Sequence, residues 1–376
     1  MPDLFESCVV NGMVLANRFV RSATWEGLAT QDGAATPKLV RMMEQLALGK
    51  VGLIISGHAY VTREGRGSSG QLGAYSDELI PGLADMAAAV HAAGGRIALQ
   101  ISHAGIRSAS VPGGPEPAGP STVLLETGPA GRAMTREDMA AVCLDFARAT
   151  ARAKTAGFDA VQIHAAHGFL LSEFLSPFFN QRTDDYAGSR ESRARLVLEV
   201  LKAARNAVGR DFPVLIKMNS EDFLPGGLTV EDMVATAELL QEAGIDAVEL
   251  SGGTFLSGKL SFSRTGSRPV KADPAHTEAY YEAAARSYKR AVKTPLMLVG
   301  GIRTLETARS LVADGVADHI CLCRPLIREP HLVARWLAGD TRPALCVSDN
   351  GCFQPAREGK GVYCTLDASG EGASES

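Results

Sequence analysis

The chain predicts a single (β/α)8 TIM barrel, an α/β fold, and three observations carry that expectation. Eight short runs rich in valine, isoleucine and leucine recur at residues 17–23, 51–58, 96–102, 160–166, 213–219, 247–253, 295–301 and 319–325. Their near-continuous apolarity suits strands covered on both faces, as in a parallel sheet. Segments of helical spacing lie between them, at 79–93, 136–156, 191–208, 230–243, 278–292 and 305–314. Third, no Gly-x-Gly-x-x-Gly turn follows the first run, which disfavours the runner-up, an open doubly wound sheet.

The elements carry their own boundary signals. Thr135 with Asp138 forms a capping box, and Thr229 heads a helix that opens Val-Glu-Asp. Gly157, Gly244 and Gly315 each stand just past a helix end, where a left-handed cap is usual. Residues 1–16 predict a hairpin turning at Asn11-Gly12 and capping the barrel bottom, and 17–340 the barrel itself. The Pro/Gly-rich stretch 111–121 reads as an irregular loop on the active-site rim. A cysteine-containing extension at 341–365 and a disordered tail at 366–376 complete the expected organisation.

Composition narrows the function classes. The 376 residues hold 38 basic and 42 acidic side chains, a formal charge of −4, which excludes a nucleic-acid clamp built on bulk charge. Seven cysteines are too sparse for a disulfide scaffold. The N-terminus lacks the basic and apolar regions of a signal peptide. No apolar run reaches the roughly 18 residues that span a bilayer. A soluble cytoplasmic protein, with no membrane and no nucleic-acid partner, is expected.

In a barrel the chemistry sits where the strands end. Gly300-Gly301 closes the seventh run and Cys323-Arg324 the eighth, so bare amides and a guanidinium converge where barrels commonly hold a phosphate. The alternative is two tight turns and an arginine paired to a helix carboxylate. At the fourth strand end stand His164 and His167. Residues three apart alternate to opposite faces of a strand, so both imidazoles share one site only if the strand breaks, which Gly168 permits. Zinc would prefer two histidines two apart and a nearby carboxylate, so no metal site is expected. Neutral imidazoles donating to a carbonyl or anion fit better, against the plain alternative of one core and one rim histidine.

The passage His164-Ala-Ala-His167-Gly168-Phe169 running on through Ser176-Pro177, Asn180, Arg182, Asp184, Tyr186, Gly188 and Arg193 resembles the old yellow enzyme family of FMN-dependent oxidoreductases. The likeness extends to Asn17-Arg18-Phe19, Ser22-Ala23-Thr24, Gln100, Lys217, Ser251-Gly252-Gly253, Gly300-Gly301 and Arg324-Pro325. The resemblance implies FMN bound at the strand C-termini, reduction by NADH or NADPH, and an activated alkene, quinone or similar small-molecule electron acceptor as oxidant, in a ping-pong cycle. It implies that Ala23, Thr24 and the backbone of Gly57 and His58 face the flavin edge and that Gln100 bonds its pyrimidine portion. Lys217 would sit where negative charge accumulates on reduction, and Gly300, Gly301, Cys323 and Arg324 would hold the phosphate. His164 and His167 would bind the acceptor oxygen. Asp184, Tyr186, Arg190 and Arg193 would brace the loop and fourth helix. A homo-oligomer is also implied.

Three departures qualify the likeness. Phe169 replaces the tyrosine that protonates substrate in the family's ene-reductases, leaving water or a donor such as Tyr60 for that proton. Trp25 adds an indole that either narrows the substrate pocket over the flavin or packs in the first loop. Cys346, Cys352 and Cys364 resemble the [4Fe–4S] segment of larger relatives, the dienoyl-CoA reductase and trimethylamine dehydrogenase type, with Asp349 where a fourth thiolate is expected. That implies a degenerate, clusterless segment. The chain has no second nucleotide domain, so NAD(P)H is expected at the same flavin face as the oxidant. A flavin-binding electron-transfer module with a decayed substrate site is the alternative function, and a non-flavin phosphate-binding barrel the third.

Overall fold

A computed structural model describes residues 3–109, 116–125, 128–257 and 278–366. Eight parallel strands form the barrel: β1 Phe19–Arg21, β2 Leu53–Ile55, β3 Ile97–Ser102, β4 Ala160–Ala165, β5 Val214–Asn219, β6 Ala247–Ser251, β7 Leu296–Leu298 and β8 His319–Leu322. They pair in sequence order, with β8 on β1 and β3 on β4 completing the ring. Each strand lies inside one of the eight apolar runs. Six of the runs extend past their strands' C-terminal ends into mostly small or polar residues of the barrel mouth, such as Ser56–His58 and Gly252-Gly253.

The helices between the strands are α1 Pro37–Leu48, α2 Ile80–Ala92, α3 Arg136–Thr155, α4 Arg190–Val208, α5 Val230–Glu242, α6 Glu282–Ala291 and α7 Leu305–Ala313, with α8 Leu332–Leu337 after β8. α1 is absent from the segments that spacing singled out; Thr36 caps it and Pro37 opens it, each favoured at that position. The capping boxes of α3 and α5 are formed as the sequence indicates.

Inside the barrel, side chains stack in layers because alternate residues of each strand point inward. The lower layers are apolar, with Val20, Leu53, Ala98, Ala160, Leu215, Ala247 and Met297 in one cluster. Val10, Met13 and Leu15 of the antiparallel hairpin Cys8–Val10/Met13–Leu15 belong to that cluster and plug its N-terminal end. Phe19 points outward and packs on buried Trp336 of α8, their rings 5.6 Å apart.

The third βα connection differs from its reading as irregular. Ala118–Gly119 pairs in parallel with Arg132–Ala133, and Val123–Leu125 pairs with Gly128–Ala130. The pairing is backbone to backbone, so proline and glycine content gave no cue to it. Residues 110–115, and the tail from 367 onward that was expected to be disordered, lie outside the described residues. Among the described residues no helix is long and apolar enough to cross a membrane.

Candidate active site

Parallel strands deliver all their C-terminal ends to one rim, and there the barrel opens into a cavity of about 520 Å³. Of the residues singled out by sequence, Ala23, Thr24, Trp25, His58, Gln100, His164, His167, Phe169, Lys217, Gly301, Cys323 and Arg324 line it. Its described lining contains no aspartate or glutamate, yet carries Lys217 and four arginines, 107, 303, 324 and 357. A wall of that charge suits an anionic occupant.

The cavity floor is a buried polar network that only partly shows in the sequence. Lys217 on β5 and Glu249 on β6 are register neighbours, and Nζ lies 2.9 Å from Oε1 with both side chains buried. The same oxygen accepts from Ser22 Oγ at 2.6 Å, and Lys217 also donates to Ser22 Oγ at 2.8 Å. Gln162 Nε2 donates to the other Glu249 oxygen at 2.8 Å, and Gln100 Nε2 donates to Gln162 Oε1 at 2.6 Å. Sequence reasoning missed Glu249 and Gln162. An inward-facing acid one strand over from an inward-facing lysine is the pattern that could have found them, once the barrel register was drawn.

Both histidines face the cavity. Their ring centroids are 5.3 Å apart. β4 ends at Ala165, and the turn is taken by His167 itself, at φ 64°, with Gly168 following at φ 70°. The break thus falls on a non-glycine residue, one step earlier than the glycine signal suggests. Asn219 Oδ1 holds it by accepting from the His167 amide at 3.1 Å, and His167 Nε2 lies 2.8 Å from Ser251 Oγ. His164 is buried, and its Nδ1 has no hydrogen-bond partner among the described residues. Burial first, then the charges of His167, His58, Lys217 and Arg107, push its pKa well below 6.5. It is a neutral imidazole. His58 stands 5.1 Å from Phe169 and 6.0 Å from His164; Gln71 Nε2 donates to its Nδ1 at 2.7 Å, which puts the ring proton on Nε2.

At the opposite end, Gly300 and Gly301 have φ of 146° and 72°. The φ of 146° is one that glycine adopts and side-chain-bearing residues rarely do, and a side chain on Gly300 would also press on the Tyr281 ring at 3.2 Å. Arg324 Nη1 donates to Asn350 Oδ1 at 2.9 Å and to Ser348 O at 3.3 Å, tying the C-terminal segment to the rim. Thr24 Oγ1 lies 3.0 Å from Cys323 Sγ. Tyr280 and Tyr281, which sequence reasoning did not single out, complete this wall, and the Tyr281 hydroxyl donates to Gly252 O at 3.2 Å.

Three placements correct the sequence reading. Tyr60 does not reach the cavity: its ring is buried, stacks on Tyr75 at 5.1 Å, and borders a separate cavity shared with Glu116, Pro117 and Ala118 of the rim insertion. Gly57 lies behind the wall, donating its amide to Glu26 Oε1 at 2.8 Å, while Glu26 pairs with Arg21. Gly300 shapes the turn without lining the cavity itself. Trp25 borders the cavity, but it packs on the C-terminal cluster of Cys352, Phe353, Ala356 and Val362 and not in the first loop, while its Nε1 donates to Ser69 O at 3.2 Å. The cysteine segment, read as a relic, is therefore part of the wall through Ser348, Phe353 and Arg357. Among the described residues no group of three or more histidine, cysteine or acidic side chains is placed to hold a metal ion. Asp184, Tyr186, Arg190 and Arg193 stand away from the cavity: Arg182 pairs with Asp184, and Arg190 and Arg193 both pair with Asp232.

An acid-free cavity with a cationic end, two cavity-facing histidines and a lysine-bearing floor defines a barrel built for a phosphate-bearing ligand at its strand ends. The sequence profile of the NADH:flavin oxidoreductase / NADH oxidase family matches residues 3–340, and the chain belongs to that family, the old yellow enzymes. It is 33% identical over 360 residues to an NADH oxidase of Thermoanaerobacter brockii, covering 94% of this chain but 54% of that protein. The chain thus spans about half the length of that relative. It is 33% identical over 330 residues to an NADPH dehydrogenase of Geobacillus sp., covering 87% and 92%. The old yellow enzyme homologue of Zymomonas mobilis superposes with a TM-score of 0.77 at 26% identity, covering 91% of this chain and 94% of that one.

Proposed function

We propose that the protein is an FMN-dependent oxidoreductase that is reduced by NADH or NADPH and passes hydride to an α,β-unsaturated carbonyl compound, a quinone or a similar acceptor in a ping-pong cycle. The observation that carries this reading is the pair of cavity-facing histidines, His164 and His167, their rings 5.3 Å apart in an acid-free cavity with a cationic end. FMN, when bound, supplies the hydride-accepting and hydride-donating ring.

The chain's own residues fit that group. Arg324 and the turn at Gly300-Gly301 supply donors and close backbone approach for a phosphate. Gln100 and Lys217, fixed through Gln162 and Glu249, present a pre-oriented amide and ammonium on the floor. His164 and His167, kept neutral or hydroxyl-bonded, are donors aimed at an acceptor oxygen where charge develops. Phe169 cannot donate a proton and Tyr60 is outside the cavity, which favours quinones or acceptors protonated by water.

The test is anaerobic stopped flow on the FMN-loaded protein. NADH or NADPH should bleach the flavin, and 2-cyclohexenone or a benzoquinone should restore it in a step that depends on His164. Bleaching with no reoxidation by either class would overturn the acceptor assignment. We also propose a homo-oligomer, which light scattering on the eluted protein reads.

A further inference from the structure

We propose that the acceptor site is built for a molecule bearing a carboxylate, with Arg107 as the residue that selects it; this rests on the acceptor reading above. Arg107 ends the short turn Gly105–Arg107 that follows β3, and it lies on the histidine side of the cavity, away from Arg324. Its guanidinium carbon sits 5.2 Å from the Phe169 ring centroid and 4.9 Å from that of Phe255. Both rings therefore make cation–π contact with the guanidinium.

Its hydrogen bonding is nearly all unspent. Nη1 donates to His167 O at 3.3 Å, a long bond, and Arg107 makes no ion pair among the described residues. A guanidinium has five N–H donors, and a carboxylate takes two of them in parallel. The carboxylate nearest in influence is Glu173, but that side chain is buried and turned the other way, accepting from the Ile106 amide at 3.0 and 3.3 Å. The remaining cavity cations are differently placed. Lys217 is neutralised by Glu249, Arg324 is tied to Asn350 and Ser348 at the far end, Arg303 follows the Gly300-Gly301 turn at that same end, and Arg357 belongs to the C-terminal segment. A cofactor phosphate at that end leaves Arg107 uncompensated, beside the ring of Phe169, which itself lies 4.5 Å from His164.

An anionic group on the acceptor would thus be held at Arg107 while His164 and His167 hold the carbonyl, fixing which end of the molecule faces the flavin. Arg107 is exposed at the cavity edge, and charge-assisted, bidentate recognition there discriminates by about 10- to 100-fold. Neutral acceptors of the same shape lose that factor.

The matched probes are trans-4-oxo-2-pentenoate and its methyl ester, offered to the FMN-loaded protein and to Arg107→Gln and Arg107→Lys. Two quantities are read: kcat/KM, and the Kd of each probe for the oxidised holoprotein from the flavin absorbance change. The expected result is a 10- to 100-fold preference for the acid, which Arg107→Gln erases chiefly through KM and Arg107→Lys partly keeps. Equal affinity for acid and ester in the wild type overturns the inference, and so does an equal loss for both probes in Arg107→Gln, which would make Arg107 a brace for His167. Should neither probe reoxidise the flavin, the enone arm of the acceptor reading fails and the benzoquinone arm decides the rest, while a Kd preference for the acid that depends on Arg107 still supports the anion site.

Discussion

Removing Glu249 tests the cavity floor most directly. Its two oxygens take the Lys217 ammonium at 2.9 Å, the Ser22 hydroxyl at 2.6 Å and the Gln162 amide at 2.8 Å, all buried. Glu249→Ala leaves an ammonium with one hydroxyl partner and an amide donor with none. Breaking a buried pair by deleting one member costs about 3–5 kcal/mol, because the surviving charge is uncompensated. At about 2.1 cal/mol/K per residue, unfolding a chain of 376 residues carries an entropy of about 0.8 kcal/mol/K, so Tm should fall by about 4–6 °C. Replacing both members with apolar residues of similar volume, Glu249→Leu with Lys217→Met, should recover at least half of that loss, since no lone charge remains. Differential scanning calorimetry with and without FMN measures it. A Glu249→Ala protein within about 1 °C of wild type, or a double variant that is the sum of the singles, would refute the coupling.

Three further predictions follow from the site and its surroundings. His164→Ala should slow reoxidation by 2-cyclohexenone about 10²–10³-fold in stopped flow, the usual loss of an oxyanion donor; a change under threefold would remove His164 from acceptor binding. Gly57→Ala should lower Tm and loosen the β1–α1 loop, because the added carbon runs into the Glu26 carboxylate and the Thr24 carbonyl; an unchanged melting curve would mean that loop gives freely. His319, buried and held at about 4 against 6.5 unfolded, stays neutral in the fold while the unfolded chain takes up its proton. Its contribution is whole above pH 6.5 and fades as pH falls toward 4, so urea midpoints of wild type should drop across that window more steeply than those of His319→Gln; parallel curves would refute it.

The barrel was legible because burial on both faces leaves a signature in composition: eight apolar runs contain all eight strands. The dyad His164/His167 was legible too, since no ordinary core strand ends that way. What escaped was whatever depends on side chains meeting across strands. Glu249 reads as a stray acid in an apolar run until β5 and β6 are set in register, and Tyr60 reads as a pocket residue until its strand is seen pairing on the outer edge of β3. The three C-terminal cysteines drew attention to themselves and away from Phe353 and Arg357, the residues of that segment that reach the cavity with Ser348. Motif resemblance points at conspicuous chemistry, whereas packing is carried by plain side chains.

Arg324 serves two masters, the cationic end of the cavity and the carbonyl and amide oxygens of the segment from Ser348 to Asn350. By thermodynamic reciprocity, whatever settles on that arginine from inside the barrel must also alter how firmly the segment is fastened outside it. Protease nicking after residue 345 should therefore report cofactor occupancy, slowing as FMN is added and quickening as it is stripped, so that the tail end of the chain acts as a gauge of whether the barrel is loaded.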